Sequence, residues 1–515
     1  MQGRIFRMAI VATRQLNVQH SDQNAPQFNI LASRIGICHL RADVIMRVSD
    51  LRTLILLFLG FFAAPSSLQA QRVAPLPLPS QYPLALDLSN DPILTLGQAT
   101  TDAATMRQIV SIAVARHPAL TEAQATKDEA DASRAETIAQ QFPSVDISIS
   151  NFQTLSRAFS NDPQNIIERS RSRQRTDATL GITQPLFDFG ATGARIGAAR
   201  ERLKAATAGV DGTADQIALR SIGAWYEVFA FRALVALSAT FAGNQRELRS
   251  AVQVRIDQGV SARGDIAQVD SYIGSADRRL AEFTRQLAGA EARYIELIGG
   301  PAPTDIKRAP LLMSETLSKD LAVFNSRLTA PVVAAQAQFE ASKRDADGAK
   351  AGILPQISVG IDAGRYGVFE TRRDYDIRAR VTLRQRFFGG IEERADQAVA
   401  RARAASARAS RITEEAARDA AIAWSDVNAL ETELSALKLS YVASRQSRDV
   451  LAERFRVSRG TLFDVLASED NLFQSAAAYI RSLTELDTAR YTLLSRTGKL
   501  LEALEIAPAN SGLKR

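Results

Sequence analysis

Apolar and polar residues alternate strictly in four short segments of the chain, and these segments come in two pairs. In Tyr375–Arg384 the odd positions carry apolar side chains, and the even positions carry Asp, Arg and Thr. A period of two with one apolar face predicts β-strands. Polar residues inside and apolar residues outside would be typical of a transmembrane barrel. We place the strands at about 143–153, 176–187, 355–366 and 374–386.

Long stretches without proline follow each pair of strands. No proline occurs between Pro185 and Pro301, nor between Pro355 and Pro508. These stretches are rich in Ala, Leu, Glu, Arg and Gln, which favour helix, whereas an internal proline would break one. A single helix over residues 190–255 would be about 100 Å long at 1.5 Å per residue. The sequence therefore predicts very long helices that pack side by side in a coiled-coil arrangement.

The chain contains the same unit twice. Ala224-Trp225 recurs as Ala423-Trp424, and Asp265-Ile266 recurs as Asp464-Val465, both 199 residues apart. A period of this length indicates a duplicated domain-sized unit and not a solenoid of short repeats. We divide the chain into a first repeat at 95–300, a linker at 301–324, a second repeat at 325–500 and a tail at 501–515.

Residues 46–70 have the pattern of a secretory signal peptide. Arg47 and Arg52 precede an 11-residue apolar run at 54–64, and small residues follow as far as Ala70. The alternative, a membrane anchor, is disfavoured because a helical span needs about 20 apolar residues. The mature protein is therefore expected to be exported.

The regions on either side of this signal have different interpretations. Because a signal peptide should begin near the true start, we interpret residues 1–45 as a mis-annotated extension and Met46 as the start of translation. The segment 71–94 is rich in proline, which predicts an extended, poorly packed leader.

Composition excludes several classes of function. Apolar residues make up 46% of the chain and aromatic residues only 6%, which suits thin helical layers better than large globular cores. The single cysteine, Cys38, allows no intramolecular disulfide, and the spacing of the three histidines disfavours a metal site. The net charge of +7 is not gathered into a basic block with aromatics, so we expect no nucleic-acid partner. No catalytic motif or phosphate loop is present, so we expect neither an enzyme nor a cofactor.

These features together resemble the TolC family of outer-membrane efflux and secretion channels over residues 95–500. The most specific stretches are the strand exit Gln184-Pro-Leu-Phe-Asp-Phe-Gly and the hairpin turns at 255–275 and 454–475. Four strands leave open edges, and closed outer-membrane barrels have at least eight strands, so several protomers must share one barrel. The resemblance implies a mainly α fold with a small β part. Duplicated long-helix hairpins would form a trimeric periplasmic α-barrel, topped by a shared 12-stranded transmembrane β-barrel with four strands per protomer.

The two hairpin turns are expected to form the periplasmic tips. Gly259, Gly264 and Gly460 should permit the tight reversals, and Asp265 and Asp464 can cap the outgoing helices. The resemblance implies that these tips contact a periplasmic adaptor protein. The implied contact residues are Gly259, Val260, Ser261, Arg459, Gly460, Thr461 and Leu462.

The resemblance also implies a gate at the tips. An aspartate at the position of Asp464 would ring the closed aperture, where three carboxylates repel one another and attract cations. Asp265 matches a locking carboxylate of the family. Its partners are missing, because Phe455 replaces a locking tyrosine and Gly460 replaces a locking arginine. Ala467 replaces a second ring aspartate, so we expect opening to be easier or differently controlled.

Arginines gather on the polar face of the last predicted strand. They are Arg378, Arg380, Arg384 and Arg386. If this face lines the lumen, three copies would supply a positive collar that favours acidic cargo. The alternative is that they form cross-strand pairs with Asp146, Asp362 and Asp376.

The resemblance implies an outer-membrane exit channel of a Gram-negative bacterium with a long periplasmic extension. Its expected partners are two further copies, outer-membrane lipid, a periplasmic adaptor, and an inner-membrane ABC transporter or proton-driven pump. The turn Ser458-Arg-Gly-Thr-Leu-Phe-Asp-Val-Leu resembles members that serve type I protein secretion. The alternatives are multidrug efflux and, from a different class, a periplasmic coiled-coil scaffold without a pore.

Overall fold

A computed structural model describes residues 76–507 except 81, 84, 99–100, 161–162, 167–169, 313–316 and 372. The predicted extension 1–45 and signal peptide 46–70 lie outside the described residues, as does the end of the tail from 508 onwards. The described residues all belong to one compact unit.

The described residues form two copies of one pattern, in which short helices are followed by two strands and two long helices. The first copy contains α1 (Ala103–Arg116), α2 (Pro118–Ala139), β1 (Ser144–Gln153), β2 (Gln174–Phe187), α3 (Ala191–Asp257) and α4 (Gly264–Ile298). The second contains α5 (Lys319–Asn325), α6 (Ala330–Ala351), β3 (Gln356–Tyr366), β4 (Tyr375–Arg384), α7 (Ile391–Arg456) and α8 (Leu462–Arg496). A short helix α9 (Leu500–Ala503) follows, and 3-10 turns occur at Leu94–Gly97, Pro163–Asn165 and Ser326–Leu328.

The long helices are continuous, as the absence of proline predicts. Helix α3 has 67 residues and α7 has 66, so each is about 100 Å long. Both follow a similar strand-to-helix turn. Left-handed residues precede both helices: Phe189 (φ 54°) and Gly190 (φ 88°) precede α3, and Phe388 (φ 66°), Gly389 (φ 74°) and Gly390 (φ 77°) precede α7, where the turn has one more left-handed residue. The duplication is therefore visible in the backbone as well as in the sequence.

The four strands form one antiparallel sheet in the order β1-β2-β3-β4. Pairing of β2 with β3 joins the two repeats, which leaves β1 and β4 as the edges. The register aligns Ile147, Leu180, Ala363 and Ile377 in one apolar row across the sheet. This face is open to the surroundings, with Ile147 76% and Val381 75% exposed. The predicted fold class, with four strands and two long-helix hairpins per chain, is confirmed.

The helices bury the main core of the chain. Helix α3 packs against α2, α4, α6 and α8, and α7 packs against α6 and α8. The two tryptophans of the repeat lie at equivalent places in α3 and α7, and both are tied to the segment between the repeats. Trp225 Nε1 donates to the Lys307 carbonyl at 3.0 Å, and Trp424 Nε1 donates to the Leu317 carbonyl at 2.8 Å.

The segment between the repeats differs from the predicted linker 301–324. It is packed into the core, where Ile306 and Ala309 are buried. Helix α5 begins inside it at Lys319, with Ser318 Oγ accepting the Leu321 N–H at 3.3 Å as an N-cap. Proline at 301, 303 and 310 marked the break in helix correctly but carries no signal for the cap at Ser318.

The proline-rich leader is not poorly packed, so that prediction was wrong. Leu76 and Ile93 are buried against the helices. The Asp91 carboxylate is fully buried, accepts the Tyr441 hydroxyl at 2.9 Å and 3.0 Å, and pairs with Arg445. Nearer the N-terminal end of the leader, the Pro77 carbonyl accepts a hydrogen bond from the buried Arg448 guanidinium at 2.6 Å. Proline keeps the chain extended, and that extended chain offers unpaired carbonyls to partners on α7.

This segment, residues 76–98, is therefore a strap across the second long hairpin. Arg448 also pairs with Asp449 and Glu469, and all three side chains are buried. Removing one partner of a buried ion pair leaves an uncompensated charge, so the strap is held by interactions that are costly to break.

We predict that Asp91→Ala releases the strap. Breaking a buried pair typically costs about 3–5 kcal/mol, so limited proteolysis should cut within 76–98 much faster than in the wild-type protein. Asp87→Ala is the matched control, because Asp87 lies exposed in the same strap. Equal cleavage rates for the two variants would show that the Asp91 contacts do not hold the strap.

A second prediction concerns Asp215 on α3. Burial raises the pKa of its carboxyl, although Ser495 Oγ donates to it at 2.5 Å. The folded protein thus holds this proton more tightly than the unfolded chain does. The resulting stabilisation is fully present below the unfolded pKa and is lost as pH rises through the folded pKa.

Asp215→Asn should remove that part of the pH dependence. Between pH 4 and pH 8 the unfolding temperature should fall less steeply in this variant than in the wild type. Asp426→Asn, at an exposed position on α7, should leave the slope unchanged. Parallel curves for Asp215→Asn and the wild type would contradict the assignment.

Candidate functional site

The two long hairpins end in short turns that form the tips of the molecule. The first turn spans 258–263, between α3 and α4, and Gly259 adopts a left-handed backbone at φ 75°. The second spans 457–461, between α7 and α8, and its left-handed residue is Ser458 at φ 59°. Gly259 therefore permits the first reversal through its left-handed backbone, whereas Gly264 and Gly460 do not adopt this conformation.

Gly460 is needed for a different reason. A Cβ atom at this position would lie 3.1 Å from the Phe455 backbone nitrogen and 3.3 Å from Arg454 Cβ. The tip therefore closes by a tight approach of two backbone segments, which only glycine allows without a shift.

The cap of α8 is Thr461 and not Asp464. Thr461 Oγ1 accepts the Asp464 N–H at 3.2 Å, and the threonine hydroxyl donates to Asp464 Oδ2 at 2.7 Å. Asp464 stands in the first turn of α8, where a negative charge is favoured by the helix dipole. In the other tip, Asp265 Oδ2 accepts the Ala262 N–H at 3.1 Å and closes the turn before α4.

The predicted adaptor-contact residues do not all face outward. Gly259, Val260, Arg459 and Thr461 are exposed, and Ser261 and Gly460 are half-buried. Leu462 is buried, which corrects its prediction as a contact residue. It packs with Val252, Val269 and Leu466 in a small apolar cluster that joins the two hairpins. Its neighbour Phe463 is 58% exposed instead, although the sequence did not predict it as a contact residue.

An arginine that the sequence did not single out connects the tips. The Arg255 guanidinium, at the end of α3, donates to the Phe455 carbonyl at 3.1 Å and to Ser458 Oγ at 3.3 Å. It also lies 4.5 Å from the centre of the Phe455 ring, in cation–π geometry. The Phe455 side chain cannot hydrogen-bond, yet this residue still links the hairpins through its carbonyl and its ring.

The four arginines in and after β4 were predicted either to form a positive collar or to pair with aspartates, and two of them form pairs. Arg378 pairs with Asp376, and Arg380 Nε lies 3.6 Å from Asp362 Oδ2 across the strand pair. Arg384 is exposed at the end of β4, and Arg386 is exposed just beyond it.

The strand register shows which charged side chains share the polar face of the sheet. Within the strands it carries four arginines and four aspartates: Arg175, Arg378, Arg380, Arg384, Asp146, Asp177, Asp362 and Asp376. A positive collar is therefore offset by aspartates on the same face. Among the described residues, no cluster of His, Cys, Asp and Glu could hold a metal ion.

Comparisons with known proteins agree with this geometry. Residues 109–300 match the family model of the outer membrane efflux proteins. The chain is 22% identical over 334 residues to outer membrane efflux protein BepC of Brucella suis biovar 1 (strain 1330), covering 63% of this chain and 73% of that protein.

Solved channel structures share the fold. The outer-membrane channel OprN matches with a TM-score of 0.67 and 19% identity, covering 77% of this chain and 90% of its own. The outer membrane protein VceC from Vibrio cholerae matches with a TM-score of 0.67 and 17% identity, covering 77% and 96%. The resemblance to TolC-type channels is confirmed. The matches indicate a Gram-negative outer-membrane channel with a periplasmic extension.

We predict that Arg255→Met loosens the joint between the tips. A charged hydrogen bond and a cation–π contact together contribute roughly 1–3 kcal/mol, so amide exchange across residues 454–464 should accelerate about tenfold or more. Arg263→Met, exposed at the first tip, is the matched control. Unchanged exchange in Arg255→Met would mean that the apolar cluster alone holds the tips together.

Proposed function

We propose that three copies of this chain form a passive exit duct through the outer membrane. The observation that carries the proposal is the exposed apolar face of the sheet, which stands at one end of helices about 100 Å long. Water disfavours such a face, whereas lipid accepts it. A periplasmic scaffold without a pore would have no use for it.

The open edges support the shared barrel. Strands β1 and β4 each have one side that pairs with no other strand among the described residues, and such edges are not tolerated within a bilayer. Three copies would supply twelve strands and close the sheet, with the polar face towards the lumen. The long hairpins would continue this lumen through the periplasm.

The tips are proposed to dock a periplasmic adaptor that connects the duct to an inner-membrane ABC transporter. Exposed apolar side chains at both tips favour a protein contact there, namely Val260 in the first turn, Val457 in the second turn and Phe463 at the start of α8. Energy for transport would come from that partner, because the duct itself only conducts.

Type I protein secretion is the proposed use, because the turn at 458–466 resembles members of that group. Multidrug efflux is the second candidate. It is favoured by the family description and by the relative, both of which are named as efflux proteins. In the native organism, deletion of the chain should abolish release of one large protein if secretion is right. Raised sensitivity to several drugs with unchanged secretion would favour efflux.

The aperture is proposed to lie at the second tip. Three Asp464 side chains around a narrow axis would repel one another and attract cations. Because the Thr461 hydroxyl holds this carboxylate in place, the ring would be ordered before any cargo arrives.

We predict small, cation-selective openings from the protein beginning at Gln71 in planar bilayers. Asp464→Ala should reduce the cation selectivity and enlarge the openings. Asp426→Ala, an exposed mid-helix position on α7, should behave as the wild type. Well-folded, detergent-extracted protein that never conducts would overturn the duct.

A further inference from the structure

A shallow groove of about 380 Å³ crosses the apolar face of the sheet. Two alanines form its floor, Ala178 on β2 and Ala363 on β3, and Ile147 and Ile377 form its sides. The pairing register makes the groove possible. Ala178 and Ala363 occupy adjacent apolar rows on neighbouring strands, and the larger Ile147, Leu180 and Ile377 share the row of Ala363.

One end of this groove is charged. Arg365 and Tyr375 are direct cross-strand partners and line the groove together with the alanines. Both occupy the apolar face, since their row also contains Ile149 and Ala178. A charged side chain on a lipid-facing surface is costly near the bilayer centre but costs little near the interface.

The position of Arg365 fits an interface. It is the second-last residue of β3, at the end of the sheet farthest from the long helices. Arg365 also donates to the Thr371 carbonyl at 3.4 Å, which ties the guanidinium to the β3–β4 loop. Because the helices mark the periplasmic side, this end of the sheet faces the outer leaflet.

The neighbouring loops add positive charge. Among the described residues of the loops at 154–173 and 367–374 there are four arginines and two acidic residues, and these loops follow the same end of the sheet as Arg365. Arginine binds phosphate groups well, because its planar guanidinium can donate to two phosphate oxygens at once. Such a patch next to an apolar groove matches a lipid that carries both a phosphate group and an acyl chain.

We infer that the groove binds a phosphorylated, acylated lipid of the outer leaflet. An acyl chain would lie over Ala178 and Ala363, and a headgroup phosphate would meet Arg365 and the Tyr375 hydroxyl. The inference rests on the proposed function, because it requires this face of the sheet to be in the membrane. It adds a specific lipid site to a surface that would otherwise contact lipid without preference.

The test uses the purified full assembly and deep-rough lipopolysaccharide as the probe, with binding followed by native mass spectrometry. Arg365→Gln should weaken binding about tenfold, the loss expected for one charged phosphate contact. Ala363→Leu should weaken it as well by filling the floor while keeping the surface apolar. Arg380→Gln is the matched control, because Arg380 lies on the opposite, polar face of the same sheet.

Lipopolysaccharide whose phosphates have been removed should bind the wild type no better than intact lipopolysaccharide binds Arg365→Gln. Equal binding of intact and dephosphorylated forms would overturn the site, as would equal effects of Arg365→Gln and Arg380→Gln. Conductance of the same preparations separates the two proposals. Conducting assemblies without selective binding reject only the groove, whereas assemblies that neither conduct nor enter membranes reject the duct as well.

Discussion

The unpaired edges of the four-stranded sheet are the constraint on which the rest of the structure depends. A chain that exposes Ile147 and Val381 on one face and leaves β1 and β4 open cannot be stable alone in water or in lipid. Closing the sheet with further copies would pair both edge strands with strands of neighbouring copies. The apolar face of the closed sheet would then contact lipid. In the proposed assembly, the same closure would also bring the long helices of each copy into a ring, so one requirement at the membrane would determine the shape of the periplasmic part.

Duplication explains most of the architecture, but some of the stabilising contacts are not duplicated. The turns at Phe189 and Phe388 and the bonds of Trp225 and Trp424 repeat almost unchanged. The strap at 76–98, in contrast, binds Tyr441, Arg445 and Arg448 of the second hairpin. Gene duplication supplies two similar hairpins, and the added leader makes them unequal.

The sequence predicted those features that a local pattern determines. Alternation located all four strands, and the absence of proline located α3 and α7, because each pattern reflects a backbone requirement of the element itself. It missed contacts between distant residues. Asp91 meets Arg445 across more than 350 positions, and Arg255 meets Phe455 across 200. The proline content of the leader predicts a loosely packed segment, because composition does not indicate that single residues such as Asp91 and Leu76 contact the helices. At the second tip, the left-handed backbone falls on Ser458, which residue preference alone would not select over Gly460.

The central claim, a barrel shared between copies, is tested most directly by cross-linking the sheet edges. Cys38 is the only cysteine and precedes the predicted cleavage site, so engineered cysteines are unambiguous. Ser148→Cys on β1 would be combined in turn with Asp376→Cys, Arg378→Cys or Arg380→Cys on β4, all on the polar face. Oxidation in membranes should give, for at least one pair, a denaturation-resistant ladder that stops at three copies. A product that remains monomeric for every pair, or a ladder that extends beyond three, would contradict the closed trimeric barrel.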